Sequence, residues 1–418
     1  MNFFSPEHRL QKVELYLKHF FSVVWHILLL ALIVFLFIFS LELIKSSAHT
    51  GLGAYTATLT QEIITHPHEG FSAGWIGRMV MLSGSPVAAL GVSLHSIGAI
   101  TDNNLLYFVL GSRTGPNVLL FMIGVIAIIK KRSLKRGFGL AIIEFFTTLT
   151  VVLGTLAFAP LIFLTKFNQD WTTGIAESTS GSFDLMRAFI DPLVDTFIEF
   201  FTASGGFIGG LLFLIGAIHL FDKFFEFLNL DKESDEDAID DMQSKFAGFW
   251  KNPGEHIKLW GHFIGKELLM PFKLLKNLLH PETHKWEEWL KNPIVAFIMG
   301  FILSTLTMSN SISVSLIVPF YAFRVINVRS AIAFILGSNI PTYVDTLLLA
   351  LLAGDTGATE VILALSFGGA ILIFVAIIFF NWYVYFITSI KQYVLKSRVA
   401  FIILAIFLVL FPFVLLFF

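Results

Sequence analysis

Residues 82–117 and 308–343 carry one pattern twice, 226 positions apart and without a gap. The first copy reads LSGSPVAALGVSLHSIGAITDNNLLYFVLGSRTGPN and the second MSNSISVSLIVPFYAFRVINVRSAIAFILGSNIPTY. Ser83, Ser85, Leu90, Val92, Ile100, Phe108, Leu110, Gly111 and Ser112 align with Ser309, Ser311, Leu316, Val318, Ile326, Phe334, Leu336, Gly337 and Ser338. Each copy is a Ser cluster, an apolar stretch, and then a Gly-Ser pair inside a second apolar segment. Backbone interrupted in this way survives in lipid only where protein or a water-filled cavity receives the freed polar groups. A matched pair of interrupted apolar segments is the pattern that lines binding sites in secondary transporters.

The surrounding composition sets the medium. Of 418 residues, 56% are hydrophobic and 14% charged, against about 25% charged in an ordinary soluble domain. The apolar residues gather into runs that meet the length of about 20 needed for a spanning helix. The chain reads as an all-α polytopic membrane protein. It has no Cys, which excludes disulfides, thiolate metal sites and cysteine nucleophiles. No P-loop, G-x-S-x-G or H-E-x-x-H motif occurs, so the sequence offers neither an ATP-driven pump nor an enzyme. Nothing in it suggests a nucleic-acid partner.

Full spans are expected at 22–45, 104–129, 138–165, 205–228, 328–353, 361–388 and 398–418. Two stretches, 71–100 and 294–321, hold Ser, Gly and Pro at their centres and read as re-entrant helical hairpins with tips near 83–86 and 309–313. The organisation is then an amphipathic segment 1–21 on the membrane surface and a first repeat 22–129. A linking span and external loop follow at 130–204. The second repeat is 205–390 with a polar insert at 229–292, and a last transmembrane helix is 391–418. Within the insert, KELLMPFKLLKNLLH alternates Lys with Leu and Phe, which suits a helix on the anionic inner leaflet or one packed on the cytosolic face.

Lys130, Lys131, Arg132, Lys135 and Arg136 crowd one short loop, which the positive-inside rule makes cytoplasmic. The acidic 166–204 segment falls outside and 229–292 inside, so the N-terminus is cytoplasmic and the C-terminus external. Three spans then separate the copies, and an odd number turns the second upside down. Inverted repeats, each with a re-entrant hairpin and a broken transmembrane helix, are the expected architecture.

The candidate site follows from the two copies. Ser83 and Ser85 in one tip, and Ser309, Asn310, Ser311 and Ser313 in the other, offer hydroxyls, amides and freed backbone groups. The segments 111–117 and 337–342 read as helix breaks, because Gly frees the backbone and Pro removes a donor. Freed carbonyls beside Asn339 and Thr342 suit a cation. Arg113 lies inside an apolar segment, where a charge needs a named partner. Two partners stand open: an oxyanion, with Asp345 left for Na⁺ or H⁺, or Asp345 itself in a structural ion pair. Arg78 and Arg324 lie nearer the hairpin ends and read as reaching headgroups. Glu144 reads as an interfacial residue or a proton site, and His26, His95 and His219 as hydrogen-bonded core residues.

The segments KNPIVAFIMGFILSTLTMSNSISVSLIVPF and INVRSAIAFILGSNIPTYVDTLLLALLAG resemble the sodium/phosphate cotransporter family. That family carries in each repeat a Gln-Ser-Ser-Ser signature and, further on, a Gly-Ala-Asn-Ile-Gly-Thr-Thr break. The first copy, from GWIGRMVMLSGSP to GSRTGPN, is a fainter version of the same frame. This chain is a diverged case. Leu82 and Met308 stand where the signature has Gln, Gly84 and Asn310 replace its middle Ser, Arg113 stands for Asn and Pro341 for Gly.

The resemblance implies a Na⁺-coupled symporter of an inorganic oxyanion, phosphate first, working by alternating access in a cell membrane. It implies roles in binding Na⁺ and an inorganic anion for Ser83, Ser85, Ser309, Ser311, Gly337, Asn339, Ile340 and Thr342. Together with the reading of the residues themselves, the candidate anion site is Ser83, Ser85, Arg113, Ser309, Asn310 and Ser311, and the candidate Na⁺ site is Ser313, Asn339, Thr342 and Asp345. The resemblance implies no cofactor beyond Na⁺ as coupling ion, with phosphate, Na⁺ and membrane lipids as partners and a homo-oligomer left open. The alternatives are a same-fold carrier or exporter of another anion, or a non-transporting membrane regulator that lost the signature Gln residues.

Overall fold

The computed structural model describes residues 28–40, 42–44, 46–47, 64–129, 134–164, 190–227, 290–307, 309–322, 325–352 and 354–417, together with Trp25 and Thr50. The segment 1–21, most of the insert 229–292, the loop 166–189, His26, Met308 and Arg324 lie outside the described residues, as does the side chain of His219. The described residues are helical with no strand. Two compact units are present, one built from 1–51 and 187–230 and the other from the rest of the chain.

The first unit contains α1 (Leu28–Ile44) and α7 (Asp191–Phe227). Helix α7 starts 14 residues before the expected span at 205, inside what reads in the sequence as external loop. Its interior breaks at Thr202, with φ 65° and ψ 169°. Phe197 and Ile198 lie against Gly209 and Gly206, residues that a straight helix would hold about 12 Å or more apart. The two arms of α7 therefore fold onto each other. The Ser-Gly-Gly at 204–206 permits the approach, and Gly206 and Gly210 also receive Leu43 and Ile44 of α1.

The second unit repeats itself element by element. Helices α2 (Pro67–Met81) and α3 (Gly84–Ser96) recur as α8 (Pro293–Thr307) and α9 (Asn310–Ala322), every boundary displaced by the 226 of the sequence repeat. Helix α4 (Asp102–Thr114) recurs as α10 (Val328–Asn339), and α5 (Val118–Ile129) is answered by α11 (Pro341–Leu352). Thr101 caps α4 by accepting from Asn104 N at 3.3 Å, and Asn327 caps α10 by accepting from Ser330 N at 2.8 Å. These cap residues are again equivalent, so the duplication extends to local hydrogen bonding.

In each copy the two short helices flanking the Ser cluster pack on each other as a helical pair. In the first, Leu82 takes φ 58° and the chain reverses, placing Gly77 on Val87. The Gly-Ser pairs do a different job from the one their sequence suggests. Gly111 and Gly337 are helical rather than breaking the helix. A Cβ on Gly111 would come within 2.0 Å of Phe71 O, and one on Gly337 within 2.1 Å of Phe297 O. Reciprocally, a Cβ on Gly74 or Gly300 would lie 2.1 Å from Phe108 O or Phe334 O. Four glycines at equivalent places thus bring α2 onto α4 and α8 onto α10, backbone against backbone. The first break comes at 115–117, where the Gly-Pro-Asn sequence ends α4, and the second interruption is the single residue Ile340, which keeps helical φ and ψ before Pro341.

Around this duplicated core run α6 (Leu134–Leu164), α12 (Thr356–Ile378), α13 (Phe380–Lys396) and α14 (Arg398–Phe417). The expected span 361–388 is two helices parted at Phe379. The apolar part begins earlier, at Thr356, and α13 carries Asn381, Tyr383, Tyr385, Lys391 and Lys396, too polar for a span. Among the described residues, six stretches are long and apolar enough to cross a membrane: 102–126, 138–158, 191–217, 328–348, 356–378 and 398–417. Trp75 of α2 is fully buried against Phe145, Phe407 and Phe411, and its indole N–H donates to Leu408 O at 3.2 Å.

Both hairpins are tethered at their outer ends by equivalent residues. Tyr321 accepts from Lys391 Nζ at 3.3 Å. His95 is half-buried, not a core residue, and bridges Asp355 (Nδ1, 2.7 Å) and Asp102 (Nε2, 2.6 Å). Burial works against its charged form, but the hydrogen bonds and charges of Asp355 and Asp102 outweigh it, and its pKa is raised. Stability from this bridge is therefore full below the unfolded His pKa of about 6.5 and fades as pH rises through the higher folded value. Asp355, whose pKa is lowered, changes charge only at far more acid pH.

Two outcomes are expected from thermal unfolding in detergent. The protein is more stable at pH 5.5 than at pH 8.5, and His95→Gln removes that difference. Gly111→Ala and Gly337→Ala each cost about 1–3 kcal/mol by overpacking, while Gly139→Ala, with its nearest neighbour at 3.7 Å, is tolerated.

Candidate functional site

The two helix breaks and the two hairpin tips meet. A small cavity of about 10 Å³ is lined by Ser83, Gly84 and Ser85 of the first tip and by Asn310 and Ser311 of the second. Arg78, Arg113, Thr148 and Asn339 complete it. The size is that of one water molecule. All these charged and polar residues except Ser85 are buried.

Each element brings its group for a local reason. Ser83 and Ser309 are the residues before α3 and α9. Ser309 Oγ accepts from Ile312 N at 3.3 Å as a helix cap and does not line the cavity, whereas Ser83 makes no cap bond and does line it. Asn310 reaches α10, accepting from Ser338 Oγ at 2.7 Å and donating to Asn339 Oδ1 at 3.5 Å. Asn117, in the first break, donates to Ser311 O at 3.5 Å. The first break therefore binds the second tip directly.

Arg113 ends α4 with 6% of its surface exposed. Its Nη2 donates to Thr342 O, to Thr346 Oγ1 at 2.5 Å and to Asp345 Oδ1 at 3.3 Å. The ring of Tyr343 lies under the guanidinium at 5.5 Å. Asp345 also accepts from Ser85 Oγ at 2.5 Å and from Thr346 Oγ1 at 3.0 Å. The ion pair left open by the sequence thus exists in this state, and it joins the first tip, the first break and the second broken helix. A cavity nevertheless lies beside the guanidinium, and the Arg113 Nε has no hydrogen-bond partner.

The structure brings the expected residues together unevenly. Ser83, Ser85, Arg113, Asn310 and Ser311 share the cavity, and Ser309 is turned to its helix. Among the expected Na⁺ ligands, Asn339 lines the cavity. Ser313 donates to Asn310 O at 3.1 Å and Thr342 to Asn339 O at 2.6 Å, while Asp345 sits behind Arg113.

Arg78 and Glu144 correct their sequence reading. Neither reaches an interface. Arg78 is 3% and Glu144 1% exposed, and they pair at 3.2 Å. Arg78 Nη1 donates to Arg113 O, satisfying a carbonyl that the break at 115–117 frees. Gly115 makes room, since a Cβ there would meet Arg78 Cβ at 3.1 Å. The available signal was helical spacing: Arg78 lies four residues after Gly74, whose face is buried against α4.

Comparison with known proteins addresses the same segments. The model of the Na⁺/Pi-cotransporter family matches residues 272–412. Over those residues the chain is similar to the Na⁺/Pi-cotransporter family. Sodium-dependent phosphate transport protein 2A of Rattus norvegicus and of Mus musculus is each 40% identical to it over 85 residues, and that of Ovis aries 39%. Each match covers 20% of this chain and 13% of the relative, so the chain spans only a small part of the length of the relatives it matches. No solved structure matches.

Removing one member of a buried pair leaves an uncompensated charge, at a cost of about 3–5 kcal/mol. Asp345→Ala is therefore expected to destabilise the protein in a denaturant titration by that order. Arg113→Met with Asp345→Leu costs less than Asp345→Ala alone. A double variant as damaged as the sum of the two single ones would remove the pair from the energetics.

Proposed function

We propose that the protein is a Na⁺-coupled secondary transporter of an inorganic oxyanion, phosphate first, binding it between the two hairpin tips. The observation that carries this reading is the buried cavity to which both tips and Arg113 contribute. Guanidinium geometry matches phosphate oxygens. The similarity of residues 272–412 to the Na⁺/Pi-cotransporter family, and the names of the matched relatives, support sodium and phosphate as cargo.

Three apolar spans lie between the hairpins in the chain: 102–126, 138–158 and the arm of α7 that follows Thr202. An odd number inverts the second copy, and rocking of inverted halves exposes one site to each side in turn. The cavity of about 10 Å³ is then the closed state, and phosphate enters when the tips part. As Arg113 moves to the anion, Asp345 is released to take Na⁺ with the oxygens of Asn339 and Thr342. On this reading the protein works in a cell membrane, and the positive-inside rule favours a cytoplasmic N-terminus and an external C-terminus.

A second reading, a regulator that does not transport, draws on the closed Arg113–Asp345 pair and on Leu82 in place of a signature Gln. Uptake of radiolabelled phosphate into proteoliposomes separates the two. An inward Na⁺ gradient is expected to drive uptake at least tenfold above an equal K⁺ gradient, and Arg113→Ala to abolish it. Equal uptake under both gradients would sink Na⁺ coupling, and full uptake in Arg113→Ala would remove that residue from the site.

A further inference from the structure

Two guanidinium groups, not one, line the cavity. Both residues are more than nine-tenths buried, and the Nε of each has no hydrogen-bond partner. Each is neutralised by a carboxylate that is not part of the cavity wall: Arg113 by Asp345 and Arg78 by Glu144.

The repeat gives a control for what Arg78 has to do. Its equivalent in the second copy is Ser304. The Ser304 hydroxyl donates to Ser338 O at 2.9 Å, joining the first hairpin arm to the end of the next helix. Arg78 makes a similar tether one residue further along, to Arg113 O. A hydroxyl is therefore enough to fasten the arm, and the first copy instead buries a charge and a carboxylate to hold it. Burying an ion pair is costly against a neutral alternative. The equivalent of Arg113 is Asn339, so the first copy gives the cavity two cations where the second gives the neutral amides of Asn310 and Asn339.

We propose that Arg78 is a second substrate-contacting residue, that Arg78 and Arg113 together clamp a doubly charged tetrahedral oxyanion, and that Glu144 is the positioning residue for Arg78. This rests on the reading of the site as an anion site. When the tips part, the two arginines, each with an unpartnered Nε, supply the donors. The amides of Asn310 and Asn339 close the far side. Glu144 holds the Arg78 side chain in place and competes with the anion for its charge.

The test is phosphate binding to the purified full-length protein in Na⁺, by equilibrium dialysis with radiolabelled phosphate. Arg78→Ser with Glu144→Gln copies the second repeat's tether and leaves no buried charge unpaired. It is expected to elute and unfold like the wild type and to bind phosphate at least tenfold more weakly. Glu144→Gln alone keeps Arg78 and removes its competitor, and is expected to bind phosphate several-fold more tightly. A purely structural role for the pair predicts no change in affinity in either variant, and that result overturns the proposal while leaving Arg113 and the anion site standing. If the double variant does not fold, the Glu144→Gln affinity decides alone. Absence of phosphate binding by the wild type overturns the anion reading and this proposal together.

Discussion

A guanidinium inside an apolar helical bundle has to be neutralised, and this fold does so twice. Arg78 and Arg113 are both enclosed by protein, and each rests on a carboxylate from a different helix. Uncompensated, either charge would cost several kcal/mol. The remaining local features serve that requirement. The break at 115–117 frees the carbonyl that Arg78 takes, Gly115 admits the Arg78 stem, and Pro341 begins the helix that brings Thr342, Asp345 and Thr346 to Arg113. The interactions of these two side chains tie α2, α4, α6 and α11 together.

The duplicated frame makes this arrangement possible without making it symmetric. The four glycines at equivalent positions fix the distance between the first hairpin arm and the broken helix in both copies. On that common frame the first copy places cations and the second places amides and hydroxyls. The two serines that open α3 and α9 diverge in the same sense, one turned to the cavity and the other to its own helix. Leu82, where the family carries Gln, occupies a left-handed conformation at the first tip, a position that costs about 1–2 kcal/mol for such a residue. The departure from the family signature thus falls at a strained point beside the cavity.

Much of the frame was legible in the sequence, because the repeat carries its own register. Hairpin tips and helix interruptions follow from aligned Ser, Gly and Pro residues, whereas the Arg113–Asp345 pair was one of two partners that the sequence left open. The errors have a common cause. Gly111 and Gly337 were read by their conformational freedom, whereas helix-to-helix contact uses their lack of a side chain. Arg78 and Glu144 were read by distance from segment ends, which says nothing about which helix face is enclosed. His95 was read as core, but its two aspartate partners, Asp102 and Asp355, come from separate elements that only the tertiary fold brings to it. Thr202 gave no warning, since a β-branched residue rarely takes positive φ. At Phe379 the two helices on either side differ in polarity rather than in any breaking residue.

The proposed function requires both hairpin tips to close on one site that an anion can enter. The natural absence of cysteine allows a direct measurement. With Ser85→Cys and Ser311→Cys in one chain, a short bifunctional thiosulfonate reagent is expected to link the two positions within the monomer. Phosphate with Na⁺ should slow that linking, and chloride should not. Failure to link, while each single cysteine still reacts with a monofunctional reagent of the same length, would mean that the tips do not share a site.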